Sequence, residues 1–280
     1  MAAMIVAPFP GTPRRAIRHF LPLPMTPPPM LFDNLPLLAG AAAVFVLAGF
    51  VKGVIGLGLP TIAMGLLSVV MPPVQAAALL LAPSLVTNLW QIGGPGFWAL
   101  LRRLAGLLIG VCVGVAAGAG VLAGRGAFGA WAAVGLGLAL IVYAAFGLMH
   151  PALRIRAADE TWLGPLAGIA TGLVTAATGV FVIPAVPYLQ ALGLDKDELV
   201  RALGLSFLVA TLALGASLGH AGTLGAASLA ASLLAVLPAL AGMALGQWLR
   251  RRIDAATFKR WFLLGLLALG GWLVVRSWPA

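Results

Sequence analysis

The sequence predicts an all-α polytopic membrane protein with about 8–10 membrane segments, arranged as two homologous half-repeats of inverted orientation. Of its 280 residues, 62% are hydrophobic and 9% are charged, whereas soluble proteins average roughly a quarter charged residues. Apolar runs of about 20 residues, long enough to cross a bilayer as a helix, recur along the whole chain. The order of these runs in the first half returns in the second half.

Eight apolar segments follow one another from residue 35, four in each half. The first segment of each half is long and is interrupted by glycine and proline, at 56–60 and at 179–184. Such breaks leave backbone groups unpaired, which lipid does not tolerate unless protein or a cavity surrounds them. The bounds are 35–71, 73–92, 104–123 and 127–148, followed by 162–193, 197–219, 224–248 and 258–276.

A Pro-rich stretch with three arginines precedes the first segment. It lacks the sustained apolar run of a signal peptide, so we expect it to be a disordered tail. The predicted organisation is a tail at 1–34, a first transmembrane repeat at 35–149, a connecting loop at 150–161 and a second transmembrane repeat at 162–280.

The spacing of small residues supports an internal duplication. One spacing occurs in both interrupted segments, in Gly49, Gly53 and Gly56 and again in Gly168, Gly172 and Thr175. Internal repeats with interrupted helices are the usual construction of secondary transporters. A four-residue glycine ladder from Gly106 to Gly118 is interpreted separately, as a surface for close helix packing.

The basic residues of the short loops constrain the topology, because lysine and arginine favour the cytoplasmic side. All the basic groups fall on one side only if the segment 162–193 enters and leaves the membrane at the same face. If the interrupted segment of the first half also enters and leaves at one face, the chain has ten membrane-embedded segments and its N-terminal tail lies outside. A nine-segment alternative treats 35–71 as one crossing and keeps the tail in the cytoplasm. The groups are Arg102 and Arg103, Arg154 and Arg156, Lys196 and Arg201, and Arg250, Arg251, Arg252, Lys259 and Arg260.

The charged residues exclude several classes of function. The net charge is +10, but the basic residues are spread over short loops and act as topology signals, so we expect no nucleic-acid partner. The seven acidic residues all lie in or beside the gaps between apolar segments. A cation channel or a carboxylate proton relay needs acidic residues inside the membrane, and neither is predicted.

The sequence also predicts no enzyme, no metal and no cofactor. The apolar segments contain no histidine paired with a carboxylate. Neither His150 nor His220 has a second ligand at metal-binding spacing. The single Cys112 excludes an intrachain disulfide and is interpreted as a small packing residue.

Lys52 is the first candidate binding residue. It shares one helix face with Gly49, Gly53 and Gly56, where a neighbouring helix can approach closely and keep the lysine away from lipid. A lysine at mid-membrane costs about 2.5–3.5 kcal/mol on insertion scales, which favours a function as an anion site. The alternative is that Lys52 extends its ammonium group to a nearby interface.

The break that follows Lys52 is the second candidate. Gly56, Gly58 and Pro60 are predicted to end one helix, and a half-helix beginning after Pro60 would direct N–H groups and its positive dipole end at an anion. The alternative is a simple turn between closely packed helices. In an inverted duplication this break and the one at 179–184 would meet near the midplane.

Asn88 and Gln91 are candidates in the next segment. They share one helix face with Ser84, with Thr87 beside them and Pro83 in the middle of the run. Asn88 would donate N–H bonds to the same anion. The alternative is that both carboxamides are caps at the membrane interface.

The second half contributes three weaker candidates. Thr175 and Thr178 share a face with Thr171, although threonines in membrane helices usually bond back to their own helix. Arg201 is a further candidate contact for an anion. The alternative for Arg201 is a solvated ion-pair cluster with the acidic residues of the preceding loop.

Two stretches resemble the TauE/SafE family of sulfite-exporter-like permeases. The signature region of that family resembles AGFVKGVIGLGLPTIAMGLLSVVMPPVQAAALLLAPSLVTNLWQ, and its degenerate repeat resembles LAGIATGLVTAATGVFVIPAVPYLQALGLDKDELVRALGLSFLVATLALG. The family commonly has a Gly-Gly pair in its glycine motifs, whereas here Leu59 follows Gly58 and Val180 follows Gly179.

The resemblance implies a multi-pass permease of a bacterial inner membrane for small sulfur-containing or organic anions, such as sulfite and sulfonates. It carries over Lys52, Gly56, Gly58, Pro60 and Asn88 as candidate binding residues. We expect export by alternating access, because a potential negative inside expels an anion with about 2.3 kcal/mol per charge per 100 mV. An importer of a small organic anion and a non-transporting assembly subunit are the alternatives. The expected partners are a small anionic substrate and the lipid bilayer, and a homo-oligomer is compatible with the sequence.

Overall fold

The computed structural model describes residues 35–94, 96–122, 131–149, 153–250, 252 and 254–278. The predicted tail at 1–34 lies outside these ranges, as do 150–152 of the predicted connecting loop. The described chain is built from α-helices with short connections, which confirms the predicted fold class. The helices are α1 Leu35–Ile55, α2 Leu59–Leu67, α3 Pro73–Ile92, α4 Phe97–Arg103, α5 Ala105–Ala117, α6 Ala132–Met149, α7 Glu160–Thr178, α8 Ala185–Ala191, α9 Lys196–His220, α10 Ala226–Leu249 and α11 Ala255–Ser277.

Seven spans in the described residues are long and apolar enough to cross a membrane, with α4 and α5 counted as one. The other elements are α7 and two short helices, α2 of 9 residues and α8 of 7 residues. At 1.5 Å per residue these two are about 14 Å and about 10 Å long, so each is a half-helix. The residues that the structure describes therefore form ten α-helical segments if α4 and α5 are again joined, seven of them long and apolar enough to span a membrane.

Both predicted interruptions are present. Gly56 and Gly58 between α1 and α2 have φ angles of 81° and 112°, and Gly179 after α7 has a φ angle of 71°. These angles lie in the left-handed region that residues with a side chain adopt at a cost. The glycines therefore allow the chain to leave one helix and reverse into the next.

The first interrupted segment is a hairpin. The early part of α1 lies beside the early part of α3, where Ala41, Phe45 and Leu79 line a common cavity. The end of α1 lies beside the end of α3, where Lys52 contacts Asn88. Since α1 and α3 run in the same direction, α2 and the turn after it bring the chain back between them.

The second interrupted segment is also a hairpin. Near its start, α7 packs through Gly164 against Tyr188 of α8. Beyond α8 the chain is back at the start of α7, because the N–H of Ile155 donates to the carbonyl of Ala191 at 3.0 Å. The segment therefore enters and leaves at one end of the bundle, as the distribution of basic residues predicted.

The described basic groups of the loops gather at this same end, which we call the basic end. Arg103 at the end of α4 pairs with Glu160 at the start of α7, with 2.7 Å between Nη2 and Oε1. In α9, Gly204 in the third turn packs against Gln91 near the end of α3. The end of α10 and the start of α11 lie there as well, since α10 runs parallel to α1, with Gly53 against Gly246.

The long helices pair across the two halves. The most extensive contacts join α1 with α10, α5 with α7, α6 with α11 and α3 with α9. Each interrupted helix thus packs against the third long segment of the other half. Moreover, α1 ends at the basic end whereas α7 begins there, so corresponding elements run in opposite directions. Duplication of the halves and their placement relative to a membrane stay predictions.

Glycine makes the two tightest of these contacts possible. A Cβ at Gly53 of α1 would overlap the backbone of α10, and one at Gly110 or Gly114 of α5 would overlap the backbone of α7. The glycine ladder of α5 therefore serves close helix packing, as predicted. On α1 the same packing fixes the face that carries Lys52.

Candidate functional site

Lys52 lies inside the protein, with only 2% of its surface exposed. Its ammonium group donates to the hydroxyl of Thr87 at 3.1 Å and to the carboxamide oxygen Oδ1 of Asn88. Gly49 and Gly53, on the same face of α1, hold the helix tightly against α10. In this conformation the ammonium is bound by protein side chains and is not exposed on the surface of the bundle. Whether this position lies near a membrane interface stays a prediction.

The hydrogen bond from Lys52 also sets the orientation of the Asn88 side chain. With Oδ1 turned to the ammonium, the Nδ2 group points elsewhere, and it is buried without a hydrogen-bond partner. The reverse orientation would place two N–H donors against the ammonium. A lysine ammonium has three N–H donors, of which two are used here. The pair therefore has unused N–H donors at a buried position, one on the Lys52 ammonium and those of Asn88 Nδ2.

A serine of α10 compensates for the proline inside α3. Pro83 has no N–H to donate to the carbonyl of Leu79, one turn earlier. Ser232 of α10 replaces that donor, since its hydroxyl donates to the Leu79 carbonyl at 2.9 Å and accepts from the N–H of Ala82 at 2.9 Å. The Pro83 carbonyl in turn accepts from the hydroxyl of Thr87 at 2.7 Å.

Gln91 ties α3 to the break after α1. Its Nε2 group donates to the carbonyl of Gly56 at 2.7 Å, while its Oε1 atom is buried without a partner. The predicted set of Lys52, Gly56, Asn88 and Gln91 is therefore brought together, and with Thr87 we call it the polar cluster.

The break itself is closed by local hydrogen bonds. The carbonyl of Gly58 accepts from the N–H of Ile62 at 3.0 Å and from the hydroxyl of Thr61 at 2.8 Å. Gly58 is the N-cap of α2 and Pro60 stands at its second helical position, so Pro60 removes one of the free N–H donors of this helix. An anion at the start of α2 stays a prediction.

Arg201 lies close to the polar cluster, near the start of α9. Its side chain is partly buried and its Nη1 atom packs against Gly94 in the connection between α3 and α4. One turn further on, Gly204 packs against Gln91. Arg201 therefore stands between the polar cluster and the loops of the basic end.

Thr175 and Thr178 are not part of this cluster. Their hydroxyls donate to the carbonyls of Thr171 and Val174, each at 2.7 Å, which is the back-bonding usual for membrane threonines. They lie at the second break, where Gly179 packs against Met64 in the middle of α2. The two breaks are thus linked through α2.

Sequence reasoning named Thr87 only as a neighbour and missed Ser232 altogether. Thr87 carried a signal, since it precedes Asn88 and follows Pro83 by one turn. Ser232 carried none, because only the packing of α10 beside α3 shows that its hydroxyl meets the carbonyl freed by Pro83.

One family of known proteins matches the chain. The family is described as sulfite exporter TauE/SafE, and it matches residues 41–273. No curated protein and no solved structure matches the chain. The matched range includes the polar cluster and both helix breaks.

Proposed function

Since the chain belongs to the TauE/SafE sulfite exporter family, we propose that it is a permease for a small oxyanion of the sulfite or organosulfonate type. The observation that carries this proposal is the buried pair of Lys52 and Asn88, in which an ammonium and an unpartnered amide N–H group lie at one place. A charged donor beside a neutral donor suits the oxygens of a small oxyanion.

Binding in this site is an exchange of acceptors. In the conformation described here, Asn88 Oδ1 and Thr87 Oγ1 occupy the ammonium of Lys52. A sulfite or sulfonate oxygen would take the place of Oδ1, and rotation of the carboxamide would turn Nδ2 toward the same anion. The Asn88 oxygen loses its donor as the anion enters, and the charge-assisted hydrogen bond from Lys52 to the anion offsets that loss.

The two glycine breaks suggest how access alternates. The hairpin of α1 and α2 carries Lys52 one turn before Gly56, and Gln91 holds the carbonyl of Gly56 to α3. Movement of this hairpin against α3 would expose the polar cluster to one side and then to the other. In a cell inner membrane, a potential negative inside would drive an anion outward by about 2.3 kcal/mol per charge per 100 mV.

Flux through proteoliposomes tests the proposal. We would compare sulfite, sulfoacetate, sulfate and chloride in vesicles carrying the wild type, Lys52→Gln, or the exposed-site control Lys196→Gln. Sulfite or sulfoacetate flux that falls at least about tenfold in Lys52→Gln and is retained in Lys196→Gln supports an oxyanion permease. No flux of any of the four anions through the wild type would overturn it and favour an assembly subunit.

A further inference from the structure

An apolar groove opens on the side of the bundle where α1, α2 and α11 meet. It has a volume of about 320 Å³ and is lined by residues such as Val51, Ile62, Phe258, Gly265 and Leu269. The contacts of α11 with α1 and with α2 are sparse beside those of α1 with α10. The groove is therefore a seam between helices that opens on the outer surface of the bundle.

The length and position of the groove match one leaflet of a bilayer. Along α11 its lining runs from Phe258 to Leu269, which at 1.5 Å per residue is about 16 Å. The hydrocarbon core of a bilayer is about 30 Å thick, so the groove covers about half of it. It begins in the first turn of α11 and therefore at the basic end.

A basic side chain lies at the end of the groove where the lining begins, directly after Phe258 in the sequence. Lys259 lies three residues before Phe262 and seven before Leu266, so the three share one face of α11. Lys259 is half-buried, so part of its side chain lies against protein while the rest is accessible. The apolar groove, about as long as one leaflet is deep, thus has a positive charge near its basic end.

We propose that this groove binds an anionic phospholipid, with one acyl chain along α11 and the headgroup phosphate at Lys259. The depth of the groove fits a chain from the leaflet at the basic end, and the charge at its mouth complements a phosphate of net negative charge. The proposal does not depend on the transported substrate. Val51 lines the groove and precedes Lys52, so the bound chain lies against the hairpin that carries the polar cluster.

Glycine in the groove offers a direct test. A Cβ at Gly265 meets nothing within 4 Å, and the same holds for Gly271 on another face of α11. Gly265→Leu therefore adds a side chain to the wall of the groove with no clash at its Cβ, and Gly271→Leu is the matched control. Lys259→Gln removes the charge at the mouth, with Lys196→Gln as its control.

The measurement is native mass spectrometry of the full-length protein from vesicles of equal phosphatidylglycerol and phosphatidylcholine. We expect the wild type and both controls to retain phosphatidylglycerol at least several-fold over phosphatidylcholine. Gly265→Leu should lose the retained lipid, whereas Lys259→Gln should keep a lipid but lose the preference for phosphatidylglycerol. Equal retention of both lipids by the wild type, or unchanged preference in Lys259→Gln, would overturn the proposal, and this second arm does not depend on the folding of Gly265→Leu.

Discussion

Lys52 of α1 donates a buried hydrogen bond from Nζ to Oδ1 of Asn88 on α3, and this bond closes the polar cluster near the basic end of the bundle. Both side chains are almost fully buried, and the amide N–H group of Asn88 has no partner. A substitution at Lys52 or at Asn88 changes one side of this pair at a time.

Replacing Lys52 with glutamine removes the charge and keeps a donor of similar length. A hydrogen bond to a charged group contributes about 1.5–3 kcal/mol, and each 1.4 kcal/mol is about tenfold in affinity. We therefore expect sulfite uptake into proteoliposomes to fall at least about tenfold at equal incorporation. Lys196→Gln, at an exposed position in the first turn of α9, should transport like the wild type. Undiminished uptake by Lys52→Gln would remove Lys52 from the site.

Replacing Asn88 with aspartate turns the hydrogen bond into an ion pair. The carboxylate would neutralise Lys52 and repel the substrate, so sulfite flux should be lost more completely than in Asn88→Ala. Gln190→Glu adds a negative charge at an exposed position of α8 and should leave flux intact. The assay is the same proteoliposome uptake, and an Asn88→Asp protein more active than Asn88→Ala would contradict an anion at this position.

The contact between α1 and α10 predicts a large difference between two glycines of one helix. A Cβ at Gly53 would stand 2.8 Å from the N atom of Gln247 and 2.9 Å from the Cα of Gly246, so α1 and α10 must separate in Gly53→Ala. At Gly40 a Cβ meets nothing within 4 Å. We expect thermal unfolding in detergent to show a clear loss for Gly53→Ala, of about 1–3 kcal/mol. Gly40→Ala should be unchanged or slightly more stable, since alanine is the better helix former.

The direction of the helices predicts opposite sides for the start of α1 and the start of α9. Single cysteines at Leu35 and at Asp197, both exposed, would be labelled by an impermeant thiol reagent from different faces of the membrane. The experiment needs a Cys112→Ala background, because Cys112 is an exposed free thiol. Labelling of both positions from the same face would support the nine-segment alternative.

Helical periodicity was sufficient to predict the face that carries Lys52. The spacing of Gly49, Lys52 and Gly53 places them on one side of a helix, and the structure shows that side packed against α10 and α3. The sequence also predicted that the interrupted segment 162–193 enters and leaves at the same end. Only a hairpin in this segment brings the basic loops together at one end of the bundle. Local pattern and charge were enough in both cases.

The sequence did not predict which distant helices pack against each other. Thr175 and Asn88 are both polar residues near helix breaks, yet Thr175 bonds to its own helix whereas Asn88 meets Lys52. The difference depends on which helices pack together, and pairing of α1 with α10 or α5 with α7 has no local signal. The position of Ser232 beside Pro83 is decided in the same way.

The order of the segments along the chain has a consequence for biosynthesis. Asn88 follows Lys52 by 36 residues in the sequence. At about 5–20 residues per second, the ribosome adds Asn88 about 2–7 s after Lys52. The main packing partner of α1 is α10, which ends at Leu249. Its synthesis is complete only about 10–40 s after that of α1. During that interval the lysine is shielded chiefly by its own half of the protein. The hydrogen bond from Lys52 to Asn88 would therefore also stabilise the inserted, charged helix α1 before α10 is synthesised.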